Sequence, residues 1–381
     1  MKFPAVSGRP YRAWHPLLAA LALVLVAACS SDDGGGPIEP PPGPCGEPTP
    51  LTLTLPGYFP ALPPTPDNPL TVEGVRLGRF LFYDPILSAD STLACAGCHT
   101  QNIGFGDFRR FSEGVHGDKS PRQAPSIVNP AWNVNGVFWD GRVAGLEEQA
   151  TQPVPEPTEM SLPWADAVER LQAHPDYPDM FCAAFGSTDI TKERVVKAIA
   201  QFERTFISAN SKYDRWKRGE IQLAPEELRG YQLFNQESKG DCFHCHGEPL
   251  FSSGTFHNNG IDTTIVDQGR GKFSGNPADD GKFKAPSLRN IMESPPYMHD
   301  GRFITVRQVL EHYNQTFPTD IPNLDPLMLK RNNFPPMTDA ELDTLEFFLQ
   351  TLTDEDFLFN PELSNPFSPT VPLVVGKAQK R

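Results

Sequence analysis

The 381-residue sequence predicts a mainly helical protein built from two copies of one small unit, with long loops. The pattern Cys-x-x-Cys-His occurs at residues 95–99 and again at residues 242–246. A short stretch with helical periodicity that ends in Leu-Phe precedes each copy, and Ala-Pro-Ser and Asp-Gly-Arg follow each copy. Strand-like alternation is scarce, and the 41 prolines and 30 glycines predict extensive loops.

Four stretches carry the helical pattern. Residues 73–82 and 226–234 are predicted to be equivalent helices in the two units, and Pro225 suits a first helical turn. Residues 191–207 place their apolar side chains on one face. Residues 338–352 begin with a capping-box pattern and continue with leucines at helical spacing. We therefore expect each unit to be framed by helices.

The N-terminus has the features of an export signal. Three basic residues within the first twelve precede an unbroken apolar run at residues 17–28, which is too short to span a bilayer comfortably. Small residues stand before Cys29, as in the lipobox of bacterial lipoproteins, and a serine follows it. We expect cleavage before Cys29, lipidation of its sulfur and anchoring on the periplasmic side, in the outer membrane.

Composition divides the rest of the chain. After the signal peptide at residues 1–28, residues 29–66 are rich in Gly, Pro and acid and predict a flexible tether. We place the folded units at residues 67–215 and 216–356 and a tail at residues 357–381. Loss of the signal changes the formal net charge from −14 to −17, which argues against nucleic acid as a partner. The lipid is the only membrane contact that we expect.

The two Cys-x-x-Cys-His motifs predict covalent attachment of haem. Structural zinc needs four ligands, usually in two pairs, and a redox dithiol does not require the histidine. In c-type attachment the two thiols bond to the haem vinyl groups and the histidine binds the iron. Two class-I cytochrome c-like domains are therefore predicted. The haem-binding residues are Cys95 and Cys98 with iron ligand His99, and Cys242 and Cys245 with iron ligand His246.

Two of the seven cysteines remain once Cys29 and the four motif cysteines are assigned. They are Cys45, in the tether, and Cys182, in the first unit. In an oxidising compartment a disulfide between them and a pair of free thiols are both reasonable, and the sequence does not decide between the two.

The order of the motifs resembles the bacterial di-haem cytochrome c peroxidase family, and in particular its MauG/MbnH-like branch. The resemblance covers residues 70–355. Its motifs are Cys-x-x-Cys-His, His-Gly, Ala-Pro-Ser, Phe-Trp-Asp-Gly-Arg, Glu-Met, a second Cys-x-x-Cys-His, Leu-Arg-Asn and Pro-Tyr-x-His-Asp-Gly. It implies that the N-terminal haem reacts with hydrogen peroxide and that the C-terminal haem takes in electrons.

The resemblance also implies roles for single residues. Glu159 would lie on the distal side of the first haem and move a proton between the two peroxide oxygens. Trp139 would stand between the haems as an electron relay. His116 matches a loop histidine that caps the first iron in some resting members of the family. From these residues alone, a solvated acid and a core tryptophan are the competing interpretations of Glu159 and Trp139.

A calcium ion between the domains is also implied by the resemblance. The matching positions are Gln123, Ser294 and Pro296, the last two through their backbone oxygens. Family members that depend on an electron donor have asparagine where this chain has Gln123, so the match is imperfect at that position.

The second distal ligand separates branches of the family. Donor-dependent members have a methionine fourteen residues after the histidine of the His-Asp-Gly motif, where this chain has Tyr313. A phenolate favours ferric and more oxidised iron, whereas methionine raises the potential. The adjacent His312 would point about 100° away on a helix, so only one of the two can face the iron. His312 and an unrelated methionine remain alternatives.

These assignments imply an oxidoreductase that uses hydrogen peroxide through high-valent haem to oxidise a Trp or Tyr side chain of a partner protein. A first alternative is a cytochrome c peroxidase that reduces hydrogen peroxide with electrons from a small periplasmic redox protein. A second is a non-catalytic di-haem electron carrier. In every case the expected cofactors are two c-type haems, with calcium as a third candidate.

Overall fold

Helices frame the protein in the computed structural model, which describes residues 45–368. One antiparallel pair of short strands, β1 Phe256–His257 and β2 Phe283–Lys284, lies within that range. The prediction of a mainly helical chain with long loops is confirmed. The α-helices are α1 Val72–Tyr83, α2 Leu146–Ala150, α3 Trp164–Ala173, α4 Tyr177–Phe185, α5 Lys192–Glu203, α6 Lys212–Lys217, α7 Pro225–Phe234, α8 Gly271–Ser274, α9 Val306–Tyr313, α10 Pro326–Arg331, α11 Asp339–Gln350 and α12 Glu355–Leu358.

The predicted signal peptide and Cys29 lie outside the described residues. Of the helices between residues 45 and 368, none has both the length and the apolar character needed to cross a bilayer.

The expectation of a flexible tether is wrong for its second half, residues 45–66. The sulfurs of Cys45 and Cys182 are joined, with their Cα atoms 5.0 Å apart. Phe59 is buried, and the Tyr58 hydroxyl donates a hydrogen bond of 2.7 Å to Asp214 Oδ1. These contacts to distant parts of the chain hold a segment whose composition alone predicts flexibility.

The core of the first half forms where α1 packs against α4 and α5. The predicted apolar face of α5 is confirmed, because Val195, Ile199 and Phe202 are all buried. The helix ends at Glu203, so Phe206 follows it and stacks on Phe105 with ring centroids 3.9 Å apart.

The core of the second half repeats this packing with α7 against α11. Gly230 of α7 approaches the carbonyl oxygen of Thr344, just as Gly78 of α1 approaches the carbonyl oxygen of Ala198. In both places a Cβ atom would clash with the backbone of the partner helix. Equivalent glycines thus allow equivalent helix pairs to pack closely, which makes the sequence repeat a structural one.

The Asp-Gly-Arg motifs also form equivalent turns. Gly141 and Gly301 both take positive φ angles, 66° and 63°. In each turn the aspartate Oδ1 accepts a hydrogen bond from the arginine N–H two residues later. An antiparallel bridge closes each turn. Left-handed backbone of this kind favours glycine, which explains why this residue recurs.

The first part of the predicted tail belongs to the folded structure, so a domain end at residue 356 is wrong. Phe357, Leu358 and Leu363 are buried in the cluster that includes Phe82 and Phe105 of the first half. The chain therefore returns from the second half to complete the core of the first.

We expect Gly230→Ala to lower the free energy of unfolding of the haem-loaded protein by about 1–3 kcal/mol, the usual cost of overpacking. Alanine is the better helix former by about 1 kcal/mol, so any loss reports the contact with α11. Denaturant unfolding measures it. The control is Gly57→Ala, since a Cβ there meets no atom within 4 Å. Unchanged stability of Gly230→Ala would mean that α7 and α11 have room to separate.

Candidate functional site

The first cavity adjoins the first Cys-x-x-Cys-His motif and contains about 1140 Å³ of empty space. His99 lines it, and the His99 Nδ1 atom lies 2.8 Å from the Phe105 carbonyl oxygen. Because a carbonyl only accepts, the proton lies on Nδ1 and Nε2 is left as the lone-pair donor. Burial lowers the pKa of His99, which keeps the ring neutral. This is the tautomer that an iron ligand requires.

The second cavity is larger, about 1780 Å³, and is lined by Cys242, Cys245, His246 and Tyr313. His246 Nδ1 lies 3.0 Å from the Pro286 carbonyl oxygen and 3.2 Å from that of Phe251. Burial lowers the pKa of His246 to about 4. The second imidazole is therefore also neutral, with Nε2 available to a metal.

The cysteines of both motifs are half-buried free thiols. Cys242 and Cys245 line the second cavity, whereas Cys95 and Cys98 lie beside His99 but outside the lining of the first. Two free thiols and a neutral imidazole at each motif are the donor set of a c-type haem. The residues present therefore fit one such haem at each motif.

One wall separates the two cavities, and Trp139 forms part of it. Trp139 lines both cavities, and its indole Nε1 donates a hydrogen bond of 2.8 Å to the Gln123 carbonyl oxygen. Its own carbonyl oxygen accepts a hydrogen bond of 2.7 Å from the Lys284 backbone N–H. Trp139 is thus held at both its ring and its backbone.

Tyr313, the last residue of α9, faces the second cavity. Its hydroxyl oxygen accepts a hydrogen bond of 3.0 Å from Asn259 Nδ2, and burial raises its pKa to about 12. His312 points elsewhere: its Nε2 donates to the Asn259 carbonyl oxygen at 3.0 Å, and it is not part of the cavity lining. Three methionines do line this cavity, namely Met298, Met328 and Met337.

Glu159 lies in the loop that follows α2 and is mostly shielded from solvent. Burial, followed by the nearby carboxylate of Glu156, raises its pKa. Burial is the main cause of the raised pKa of the Cys95 and Cys98 thiols, and the Glu159 charge adds to it, which places Glu159 near the first motif. Glu159 does not line either cavity in the structure.

His116 is exposed, and its Nε2 atom lies 3.1 Å from the Ser161 hydroxyl oxygen. Its loop packs on the Glu159 loop, where the Val115 N–H donates to the Glu159 carbonyl oxygen at 2.9 Å. The side chain does not line the first cavity, so the structure does not bring His116 next to His99.

The three predicted calcium positions, Gln123, Ser294 and Pro296, all line the second cavity. The side-chain amide of Gln123 donates to the Asp107 carbonyl oxygen at 3.1 Å, which leaves its Oε1 as an oxygen ligand. Between residues 45 and 368 there is no group of three or more His, Cys, Asp or Glu side chains that could hold a metal. Calcium at these oxygens stays a prediction.

Sequence reasoning missed Glu203 and Gln149, which both line the first cavity. Glu203 is only 4% exposed, its Oε2 atom has no hydrogen-bond partner among the described residues, and burial raises its pKa to about 8. The signal was present, because Glu203 follows Val195 and Ile199 at intervals of four and so falls on the buried face of α5.

Two cavities that share one wall, each beside a Cys-x-x-Cys-His motif, fit the class of oxidoreductases that carry two covalently attached haem groups. The family described as di-haem cytochrome c peroxidase matches residues 72–222. Over 254 residues the chain is 35% identical to the methylamine utilization protein MauG of Methylophilus methylotrophus, which covers 66% of this chain and 76% of that protein. It is 36% identical over 252 residues to the cytochrome c551 peroxidase of Nitrosomonas europaea, and the match covers 65% of this chain and 73% of that protein.

Solved structures agree. A MauG-like protein associated with microbial copper homeostasis aligns with a TM-score of 0.76 and 35% identity, over 84% of this chain and all of that one. The diheme peroxidase BthA from Burkholderia thailandensis shares the fold, with a TM-score of 0.69 over 87% of this chain and 98% of its own. The chain belongs to the di-haem cytochrome c peroxidase family, in its MauG-like branch, and is a peroxidase-type enzyme.

We expect Glu203→Gln to stabilise the haem-loaded protein more at pH 8 than at pH 5. A carboxyl with a pKa of about 8 when folded keeps its proton, whereas the unfolded chain, with a value of 4.5, releases it. The unfolded state is therefore stabilised as the pH rises from 5 to 8, and the free energy of unfolding of the wild-type protein falls by about 3 kcal/mol over that range. The glutamine side chain does not titrate, so its contribution to stability does not change between these pH values.

Denaturant unfolding at the two pH values tests this, with the exposed acid variant Glu169→Gln as the control. A difference between Glu203→Gln and wild type that does not change with pH would contradict it.

Proposed function

We propose that the protein uses hydrogen peroxide to oxidise a tryptophan or tyrosine side chain of a partner protein. The observation that carries the proposal is Tyr313, whose phenol rather than a methionine thioether occupies the predicted ligand position on the second cavity. A phenolate ligand stabilises oxidised iron, so a haem that carries it accepts electrons from a donor poorly. That preference suits an enzyme that stores oxidising equivalents for a slow protein substrate.

Cys95, Cys98, Cys242 and Cys245 would attach two c-type haems, which would supply the redox chemistry with peroxide. The protein contributes the orientation of the ligands. The carbonyl oxygens that bind the Nδ1 atoms of His99 and His246 fix the ring orientations and increase the basicity of Nε2. Asn259 holds the Tyr313 oxygen in place by donating a hydrogen bond to it, and this bond favours the phenolate.

Glu159 is proposed to move the protons of the peroxide. Because burial raises its pKa, this carboxyl exchanges a proton more readily near neutral pH than an exposed glutamate does. It would accept the proton of the near peroxide oxygen and return it to the departing one. Its loop packs against the His116 loop, so a modest rearrangement of these two surface segments would control access.

Trp139 is proposed to carry electrons between the two haems. Its position in the shared wall supports this role, since Trp139 lines both cavities. The hydrogen bond from Nε1 to the Gln123 carbonyl oxygen fixes the ring, so the distance from the ring to each cavity stays constant.

A second candidate is a peroxidase that takes electrons from a small redox protein. Met298 favours it, because its sulfur lies 3.5 Å from the same Asn259 Nδ2 atom that binds Tyr313. A thioether is thus close to the proposed phenolate position. The identity to a cytochrome c551 peroxidase, 36%, also lies between the 35% and 39% found for two MauG proteins.

We expect the ferric protein to react with one equivalent of peroxide, without prior reduction, and to form a long-lived optical species that Tyr313→Met does not form. Methionine raises the potential and removes the preference for oxidised iron. The control is Tyr297→Phe, which alters another phenol on the same cavity. If wild type reacts only after half-reduction, the donor-dependent peroxidase is correct; if it never reacts, the protein is an electron carrier.

We expect Glu159→Gln to retain both haems but to slow the reaction with stoichiometric peroxide at least 100-fold, the usual contribution of a positioned acid–base group. Stopped-flow absorbance measures the rate. The control is Glu169→Gln, an exposed acid in α3 that does not contribute to the raised pKa of Glu159. A normal rate in Glu159→Gln would remove Glu159 from the mechanism and leave the proton transfer to another group.

A further inference from the structure

Lys284 is a partly buried cation in the wall between the two cavities, and it lines both of them. Its ammonium donates a hydrogen bond of 3.1 Å to the Gly136 carbonyl oxygen. Among residues 45–368 it has no ion-pair partner, and burial lowers its pKa to about 8. An ammonium that loses part of its hydration without gaining an anion destabilises a folded protein.

The nearest acid does not compensate this charge. Asp140 acts on Lys284 only at a distance, because its own carboxylate already pairs with Arg122 Nη1 and with Arg142 Nη1, the latter at 3.2 Å. The Asp140 side chain is fully buried, so these two arginines complete its surroundings. The anion that balances Lys284 must therefore come from whatever fills the cavities.

We propose that Lys284 forms an ion pair with a propionate carboxylate of the haem in the first cavity. Haem carries two such carboxylates, and each proposed haem site borders this lysine. The first cavity is favoured because the Gly136 carbonyl oxygen that holds the ammonium belongs to the segment 132–139. The residues on both sides of Gly136 line the first cavity, and those of 132–138 do not line the second.

The location gives this ion pair an effect on electron transfer. Lys284 lies in β2, and its backbone N–H donates to the Trp139 carbonyl oxygen at 2.7 Å. The charge is therefore fixed beside the proposed relay. A cation near an iron centre stabilises the reduced state, so Lys284 would raise the potential of the first haem relative to the second. Lys284 is a positioning residue and not a catalytic one.

The test uses the haem-loaded protein and redox titration of both haems in Lys284→Met, which keeps the length of the side chain and removes its charge. We expect the equilibrium constant for reduction of the first haem to fall about tenfold, the size of one charge in a partly buried site. Of the two reduction steps in the titration, the one whose potential shifts in Tyr313→Met belongs to the second haem. Lys284→Arg should stay near wild type, and a propionate-bending Raman band should change only in Lys284→Met.

Lys282→Met is the matched control, because this lysine on the same segment pairs with Asp279 instead, at 3.3 Å. Equal shifts in Lys282→Met and Lys284→Met, or a shift confined to the second haem, would overturn the assignment. If Lys284→Met fails to load haem, Lys284→Gln takes its place. The inference rests on the proposed haem occupancy, but the titration needs neither peroxide nor a partner protein, so it stands or fails separately from the proposed reaction.

Discussion

The wall shared by the two cavities is the constraint on which the site depends. Two hydrogen bonds hold it: one from the Trp139 indole to the Gln123 carbonyl oxygen, and one from the Lys284 N–H to the Trp139 carbonyl oxygen. Electron exchange between two groups requires a short and constant path. Because neither bond involves a flexible side chain as acceptor, the indole cannot shift toward one cavity without breaking a contact to the backbone.

A buried ion pair controls the orientation of the second histidine. Arg289 and Asp214 have fully buried side chains and form two hydrogen bonds of 2.7 and 2.8 Å. Arg289 Nε also donates to the Pro249 carbonyl oxygen, two residues before Phe251, whose carbonyl oxygen binds His246 Nδ1. Such a pair adds little net stability, but removing one partner leaves a buried charge. Its contribution here is to fix the loop that orients the ligand.

Short sequence patterns predicted the parts of the protein that are held together by contacts between residues close in sequence. The two haem motifs, the helices and the internal repeat all follow from residue types at fixed spacing. The errors concern long-range contacts. Nothing near Tyr58 in sequence indicates that it binds Asp214, and nothing near Phe357 indicates that it completes the core around Phe105. Glu203 was missed because an acid at the end of a helix usually faces solvent, although its position on the apolar face of α5 argued otherwise.

The charges around the first cavity form one electrostatic system. Burial keeps Glu203 protonated at neutral pH, so that acid adds no negative charge beside the cavity. Lys284 adds a positive charge that the described residues do not balance. A neutral acid together with a cation that has no anion among the described residues gives the lining of the first cavity a net positive charge, which is unfavourable where water is partly excluded. On the proposed function, a haem with carboxylates at its edge removes that imbalance, so the same group that supplies the chemistry also completes the electrostatics of the fold.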